Sequence, residues 1–409
     1  MVDLTYTFGS GGAENIHVPA TRLYADGAGY GFDLAEPPVD VSGACIADRA
    51  FFFSADLPEG DYDVTLLLGN PSHAAEITVR GESRRLFLEK IKTRKGEYSE
   101  QSFTVNIRNK RLSADREVRI KPREARKLNW DGKLTLEFNG VHPGVRSVRI
   151  RRAEKPLTVF LCGNSTVVDQ DNEPWCGWGQ MIPRFFRRGI SFANYAESGE
   201  AANTFIAAGR LEKLLTQAKA GDYIFVEFGH NDQKQKGEGK GAWLSYTQSL
   251  RTFITEARKR GMKPTLLTPM NRRTFDENGK VVNSHGEYPD AVRKLAADEN
   301  VPLIDLHKMS ATLYEAWGEK LSVKAFVHYP AGTFPGQAKA LEDNTHFNAY
   351  GGYEIAKCVV EGMRENRLAD ILQFLRPDYA PFNPAQPDEA EQLSLPLSPF
   401  TEIEKPDGN

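Results

Sequence analysis

The chain has 409 residues, 40% of them hydrophobic and 26% charged, and a formal net charge of −3. That length exceeds one ordinary domain and points to two, and the balance is that of a water-soluble globular protein. A charge so near neutral excludes a global basic footprint for nucleic acid, and the absence of any run of about 18 apolar residues excludes a helical membrane span.

The opening "MVDLTYTFGSGG" has neither a basic start nor an apolar h-region, so it does not read as a secretory leader. A secreted or periplasmic mature form is expected, with its leader outside this chain, and the cytoplasm is the alternative. Residues 1–153 then alternate short β-rich runs with turns: "RAFFFSADLPEGDYDVTLLLGN", "AEITVRGESRRLFLEKI", "YSEQSFTVNIR", "KLTLEFNG" and "VRSVRIRR". Alternating polarity, with Gly, Pro and Asn between the runs, predicts the strands of an all-β sandwich.

Near residue 153 the pattern changes. Residues 154–376 alternate apolar strand candidates ("LTVFLCG", "ISFANYA", "DYIFVEFG", "PTLLTPM", "PLIDL") with helical stretches. The helical stretches are "WGQMIPRFFRRG", "AANTFIAAGRLEKLLTQAK", "SYTQSLRTFITEARKRG", "YPDAVRKLAADEN" and "YGGYEIAKCVVEGMRENR". Strand and helix in alternation predict a parallel sheet covered on both faces, an α/β fold. "ARKRGMKP" reads as a helix end, with a basic last turn, then Gly, then Pro. Residues 377–409 form a Pro-rich, acidic tail, either disordered or packed as an irregular strap. The four cysteines (Cys45, Cys162, Cys176, Cys358) form no CxxC pair and no metal spacing, and read as isolated thiols.

In open parallel sheets, ligands bind outside the carboxyl ends of the strands. The residues at those ends are unusually polar here. The first strand is followed by Gly163, Asn164 and Ser165, and the second by "ESGEAANTF" with Gly199. The third is followed by Gly229, His230, Asn231 and Asp232, and the fourth by Asn271, Arg272 and Arg273. "LEDNTHFNAYGGYEIA" brings Asp343 and His346 before the last helix. Each piece has a plain structural reading: Asn164 and Ser165 as helix caps, "GHND" as a turn, and Asn348 as the N-cap of the last helix. Asp343, His346, His230 and Asp232 as metal ligands would lack helical HxxxH or Cys support. Together the pieces supply what acyl transfer to water needs. Ser165 offers a nucleophilic hydroxyl, His346 a base, and Asp343 a carboxylate to orient that base. The N–H groups of Ser165 and Gly199 and the amide of Asn231 offer an oxyanion hole.

These blocks, "GNST", "SGEAANT", "GHND" and "DNTH", resemble the SGNH (GDSL-like) hydrolase superfamily, over about residues 156–370. "CGWGQMIPRFF" and "NSHGEYPDAVRKLA" are similar to its rhamnogalacturonan acetylesterases. The resemblance implies a flavodoxin-like three-layer α/β/α hydrolase domain, preceded by a β-sandwich accessory domain of galactose-binding-like type. It implies a serine esterase acting without metal or cofactor on an acetylated polysaccharide or oligosaccharide, foremost pectic rhamnogalacturonan. Another acylated polymer such as acetylated xylan, or an inactive carbohydrate-binding protein, is the alternative. Two positions depart from the family's pattern: Asn164 stands where an Asp is usual, and Glu200 and Asn203 follow the Gly block where a basic residue is common. A galacturonate carboxylate in each disaccharide repeat calls for fixed positive charge, for which Arg272 and Arg273 are the candidates. His285 and His230 are the candidate contacts to sugar hydroxyls. Oligomeric state is left open.

Overall fold

The computed structural model describes residues 2–8 and 15–407. The five parallel strands are β1 (Leu157–Gly163), β2 (Ile190–Asn194), β3 (Tyr223–Glu227), β4 (Lys263–Leu267) and β5 (Leu303–Ile304). Their order across the sheet is β2-β1-β3-β4-β5, the doubly wound order of a flavodoxin-like sheet. Side chains of a strand alternate between faces. Val159 and Leu161 of β1 enter one core with Phe225, Met309, Leu313 and Val359. Phe160 and Cys162 enter the other, with Ile224, Leu211, Leu250 and Leu295. The near-continuous apolar reading of each strand follows from this double burial. In register, Gly163 lies opposite Glu227, so the β1 and β3 loops leave the same edge side by side.

Most helices fall where the period predicts them, at Thr247–Lys259, Tyr288–Asp298 and Ala349–Glu365. Three details differ. The stretch from Ala201 is two helices, Ala202–Ala207 and Arg210–Gln217, parted at Gly209 with φ +79°. The stretch from Trp178 is a single α-turn followed by a 3₁₀ turn over Ile182–Phe185, because Pro183 brings no N–H to continue the ladder. A helix over Leu306–Ser322 has no counterpart in the sequence reading, although Met309, Leu313, Tyr314 and Trp317 form its buried face.

The amino-terminal residues form two sheets. One runs in the order 99–107, 60–68, 144–152, 3–7, 16–17, joined by the short pair 39–41 and 44–46. The other runs 30–33, 51–56, 133–141, 75–81, 85–93. Phe53, Val64, Leu66, Phe103, Leu136, Phe138 and Ile150, drawn from both, fill one core between them. Gly60–Leu68 shows the clean alternation of a strand with one wet face. Ala75–Gly81 does not, because its outer face is covered too. There Arg80 donates to Glu137 at 2.7 Å and to the Pro396 carbonyl at 2.5 Å.

That cover is the carboxyl-terminal tail, which packs as a strap with little regular structure. The Asn139 amide donates to the Leu397 carbonyl at 2.9 Å, and the Ser398 hydroxyl to Glu137 at 3.1 Å. The Glu173 N–H donates to the Phe400 carbonyl at 2.8 Å, and Arg123 to the Lys405 carbonyl at 3.3 Å. All four cysteines are buried and unbridged. Among the described residues no helix is long and apolar enough to cross a membrane.

Candidate active site

Ser165 lies two residues beyond the end of β1, and its hydroxyl sits 2.8 Å from Nε2 of His346. Nδ1 of the same ring is 2.7 Å from Oδ2 of Asp343. The other oxygen of Asp343 accepts the N–H groups of Thr345 and His346, at 2.9 and 3.0 Å. Asp343 and His346 therefore form a tight turn that fixes the ring from below. Burial pushes the Asp343 carboxyl up. The bond and charge of His346 and the two backbone donors outweigh that and hold it well below the usual carboxylate range. Asn348 also caps the last helix, its oxygen accepting the Gly351 N–H at 3.2 Å. The capping role and the contact with Ser165 thus belong to the same short segment.

The loop carrying Ser165 is held by its neighbours. Oδ1 of Asn164 accepts the Thr166 N–H and hydroxyl at 3.1 and 2.9 Å, the local task an Asp would perform there. Gln170 donates to the Ser165 carbonyl at 2.8 Å. Gly199 has φ +79°, and a Cβ there would lie 2.8 Å from Lys121 Nζ and from Asp407 Cβ. A side chain is excluded both by conformation and by space. The Asn231 amide donates to the Glu200 carbonyl at 3.0 Å, tying the Gly199 and Asn231 loops together and leaving its second N–H for another acceptor.

Of the residues expected to touch sugar, two are committed to internal partners. Arg273 donates to Ser322 at 2.9 Å, to Asn344 at 3.1 Å and to the Glu319 carbonyl. His285 bonds the Met270 carbonyl through Nε2 at 2.8 Å. A carbonyl only accepts, so Nε2 carries the proton and Nδ1 accepts from the Gln233 amide at 2.9 Å. The Gln233 carbonyl then faces Arg272, at 2.7 and 3.1 Å from the guanidinium. Arg272 also donates to the His230 carbonyl at 3.4 Å, and no carboxylate pairs with it among the described residues. Burial first, and then its neighbours, the Arg272 and Lys234 cations among them, hold the His230 ring far below its ordinary pKa. It is neutral, and neither ring nitrogen has a hydrogen-bond partner in the described structure.

Several neighbours of the candidate site lay outside the sequence reading. Glu227, at the end of β3, is fully buried and accepts Trp178 Nε1 at 2.8 Å and the Thr166 hydroxyl at 3.2 Å. Burial, opposed by those two bonds, pushes its carboxyl up to about 8. A lone acid inside "FVEFG" was the available signal. The tip of the 75–81/85–93 hairpin reaches beneath the Ser165 loop. Arg85 donates to Asp169 at 3.0 and 2.8 Å, Arg84 donates to the Gln170 carbonyl at 3.2 Å, and Gln180 donates to the Ser83 carbonyl at 2.7 Å. Lys405 of the strap lies 3.8 Å from Asp343. No sequence spacing relates these distant segments to Ser165. Among the described residues no group of three His, Cys, Asp or Glu side chains is placed to hold a metal.

Residues 161–352 match the model of the GDSL-like Lipase/Acylhydrolase family. The rhamnogalacturonan acetylesterase RhgT of Bacillus subtilis (strain 168) is 41% identical over 214 residues, 52% of this chain and 91% of that protein. The uncharacterized esterase YxiM of the same organism is 26% identical over 388 residues, 89% of this chain and 91% of that one. The crystal structure of YxiM covers 90% of this chain and 99% of its own, at 24% identity and a TM-score of 0.49. The family match spans all four polar loops, and the identity to RhgT extends over nearly the whole of that protein. The chain therefore belongs to the GDSL-like lipase/acylhydrolase (SGNH) family and is a carboxylic ester hydrolase.

Proposed function

We propose that this ester hydrolase removes acetyl groups from carbohydrate, with pectic rhamnogalacturonan as its polymer. The observation that carries the reading is the chain of short contacts from Ser165 through His346 to Asp343. Ser165 attacks the acetyl carbonyl and passes its proton to Nε2 of His346. Asp343 accepts a hydrogen bond from the Nδ1–H, keeps its own negative charge and stabilises the imidazolium that forms. The oxyanion rests against the N–H groups of Ser165 and Gly199 and the free N–H of the Asn231 amide. His346 then protonates the departing sugar oxygen, leaving acetyl on Ser165. Water, deprotonated by the same ring, releases acetate and restores the serine.

The polymer is supported by the 41% identity to a rhamnogalacturonan acetylesterase and by Arg272 beside the site, whose charge no carboxylate neutralises among the described residues. Acetate release from acetylated rhamnogalacturonan, set against acetylated xylan, tests it. Faster release from xylan would move the substrate assignment to that polymer. Action on a polymer of that size supports a location outside the cytoplasm, in the secreted or periplasmic space. Cell fractionation that finds it in the cytosol would remove that part.

A further inference from the structure

Three cations stand on the candidate site without being consumed by it. Lys234 Nζ is 3.4 Å from Oδ1 of Asn231, and Arg272 is 3.4 Å from the His230 carbonyl. Lys405, brought by the strap, is 3.8 Å from Asp343. Each therefore touches a different residue around Ser165 and His346. Lys234 and Arg272 have no ion-pair partner among the described residues. The carboxylate facing Lys405 already accepts the ring and two backbone N–H groups of its own turn. By contrast Lys121, the next lysine along this rim, is balanced by Glu200 and Asp407, each at 3.6 Å. Lys234 and Lys405 are exposed, so their heads are open to a large ligand, and Arg272 lies half-buried behind them.

Positive charges converge at a cost in mutual repulsion, which an anion placed among them removes. Burial, and then the charges of Arg272 and Lys405, lower the pKa of Lys234, so the three heads act on one another across one space. The Arg272 guanidinium already donates to the Gln233 and His230 carbonyls, so it supplies its charge and its remaining N–H groups, and the two ammonium groups add charge of the same sign. We propose that Lys234, Arg272 and Lys405 form a carboxylate-binding subsite beside the acyl site, which holds a hexuronate next to the acetylated sugar. The inference rests on the reading that the substrate is an acidic glycan, and it assigns the strap a part in choosing that substrate.

The test uses the full chain and a neutral reporter, p-nitrophenyl acetate, inhibited by unacetylated oligogalacturonate or by its methyl ester. The free acid should inhibit, the methyl ester should not, and salt should weaken the inhibition. Lys234→Gln with Lys405→Gln should raise the inhibition constant about tenfold, and either change alone about threefold. Equal inhibition by acid and ester, no inhibition by either, or a double variant within about 1.5-fold of the parent would overturn the subsite. Failure of the parent enzyme to release acetate from rhamnogalacturonan is a separate result. It would remove the polymer assignment and leave the inhibition data to judge the subsite.

Discussion

The two-sheet region and the parallel-sheet region both bury charge where they meet, and they use it differently. On the two-sheet side the charges are spent on holding loops. Arg84 and Arg85 grip the segment after Ser165, and Lys127 pairs with Glu197, just before Gly199, at 2.8 Å. On the parallel-sheet side the charges are spent on the site, as Asp343 is on His346 and Arg272 is on the rim. One region carries the proposed reacting groups and the other holds the loops on which they stand. Precise loops need rigid support, because a small misplacement of reacting groups costs rate steeply.

The largest expected effect separates the two roles. Ser165→Ala should lower turnover by at least about 10⁴-fold while the unfolding midpoint stays within a degree or two. Activity within about tenfold of the parent would place the chemistry elsewhere. Arg85→Ala should do the reverse. It leaves Asp169 buried without its cation and should cost about 3–5 kcal/mol of stability in urea unfolding. A loss below about 1 kcal/mol would show that the two-sheet region is not a brace, and an isolated 154–409 chain would then be expected to fold by itself.

Asn231→Ala probes the join between the loops. With the amide gone, turnover should fall by about 10²–10³-fold with little change in KM, as for a lost oxyanion donor. A variant that loses thermal stability but keeps its specific activity would make Asn231 a brace for the Glu200 carbonyl and nothing more.

What the sequence disclosed follows the same division. Ser165, Asp343 and His346, which the structure joins through one imidazole ring, were legible because Ser165 follows an apolar strand and the other two precede a helix in the same half of the chain. Strand periodicity and the sheet-edge rule place them together without any knowledge of packing. The hairpin tip at Ser83–Arg85 and the strap at Lys405 were not legible. They reach the site from segments far apart along the chain, and no local period encodes a contact between distant surfaces. Arg272 and Arg273 show the limit of local reading at one residue's resolution. They are neighbours in "NRRTF", yet one guanidinium faces Gln233 and the other is held by Ser322 and Asn344.

Glu227 sharpens the comparison through pH. Its folded pKa is about 8, against an ordinary value of 4.5, so the folded state binds a proton that the unfolded state releases. Its contribution to stability is therefore present at low pH and fades as pH rises from about 4.5 through 8. Between pH 6 and 7.5 this one group should cost about 2 kcal/mol, and Glu227→Gln should remove that slope. An unchanged slope would mean that Glu227 is ionised in the fold and paired more strongly than its two donors suggest.

The smallest expected effect lies in the two-sheet region, in "YADGAGYGFD". Gly and aromatic residues on a sandwich loop can present rings to a sugar, but here they have other work. Gly27 and Gly29 turn the chain with φ +75° and +76°, and the Tyr24 hydroxyl donates to Asp56 at 2.5 Å. Lys133 covers one face of the Tyr24 ring at 4.3 Å, and Tyr30 packs against Tyr6 with centroids 5.1 Å apart. A ring already used in this way offers little surface for stacking. Tyr24→Ala should lower stability by about 1 kcal/mol through the lost hydroxyl bond and cation–π contact. It should leave kcat/KM on the polymer within about twofold of the parent. A calorimetric titration with pectic fragments should be the same for the variant and the full-length parent. Weaker polymer binding in the variant, with hydrolysis of p-nitrophenyl acetate intact, would give this region a hold on the substrate and not only on the loops of its neighbour.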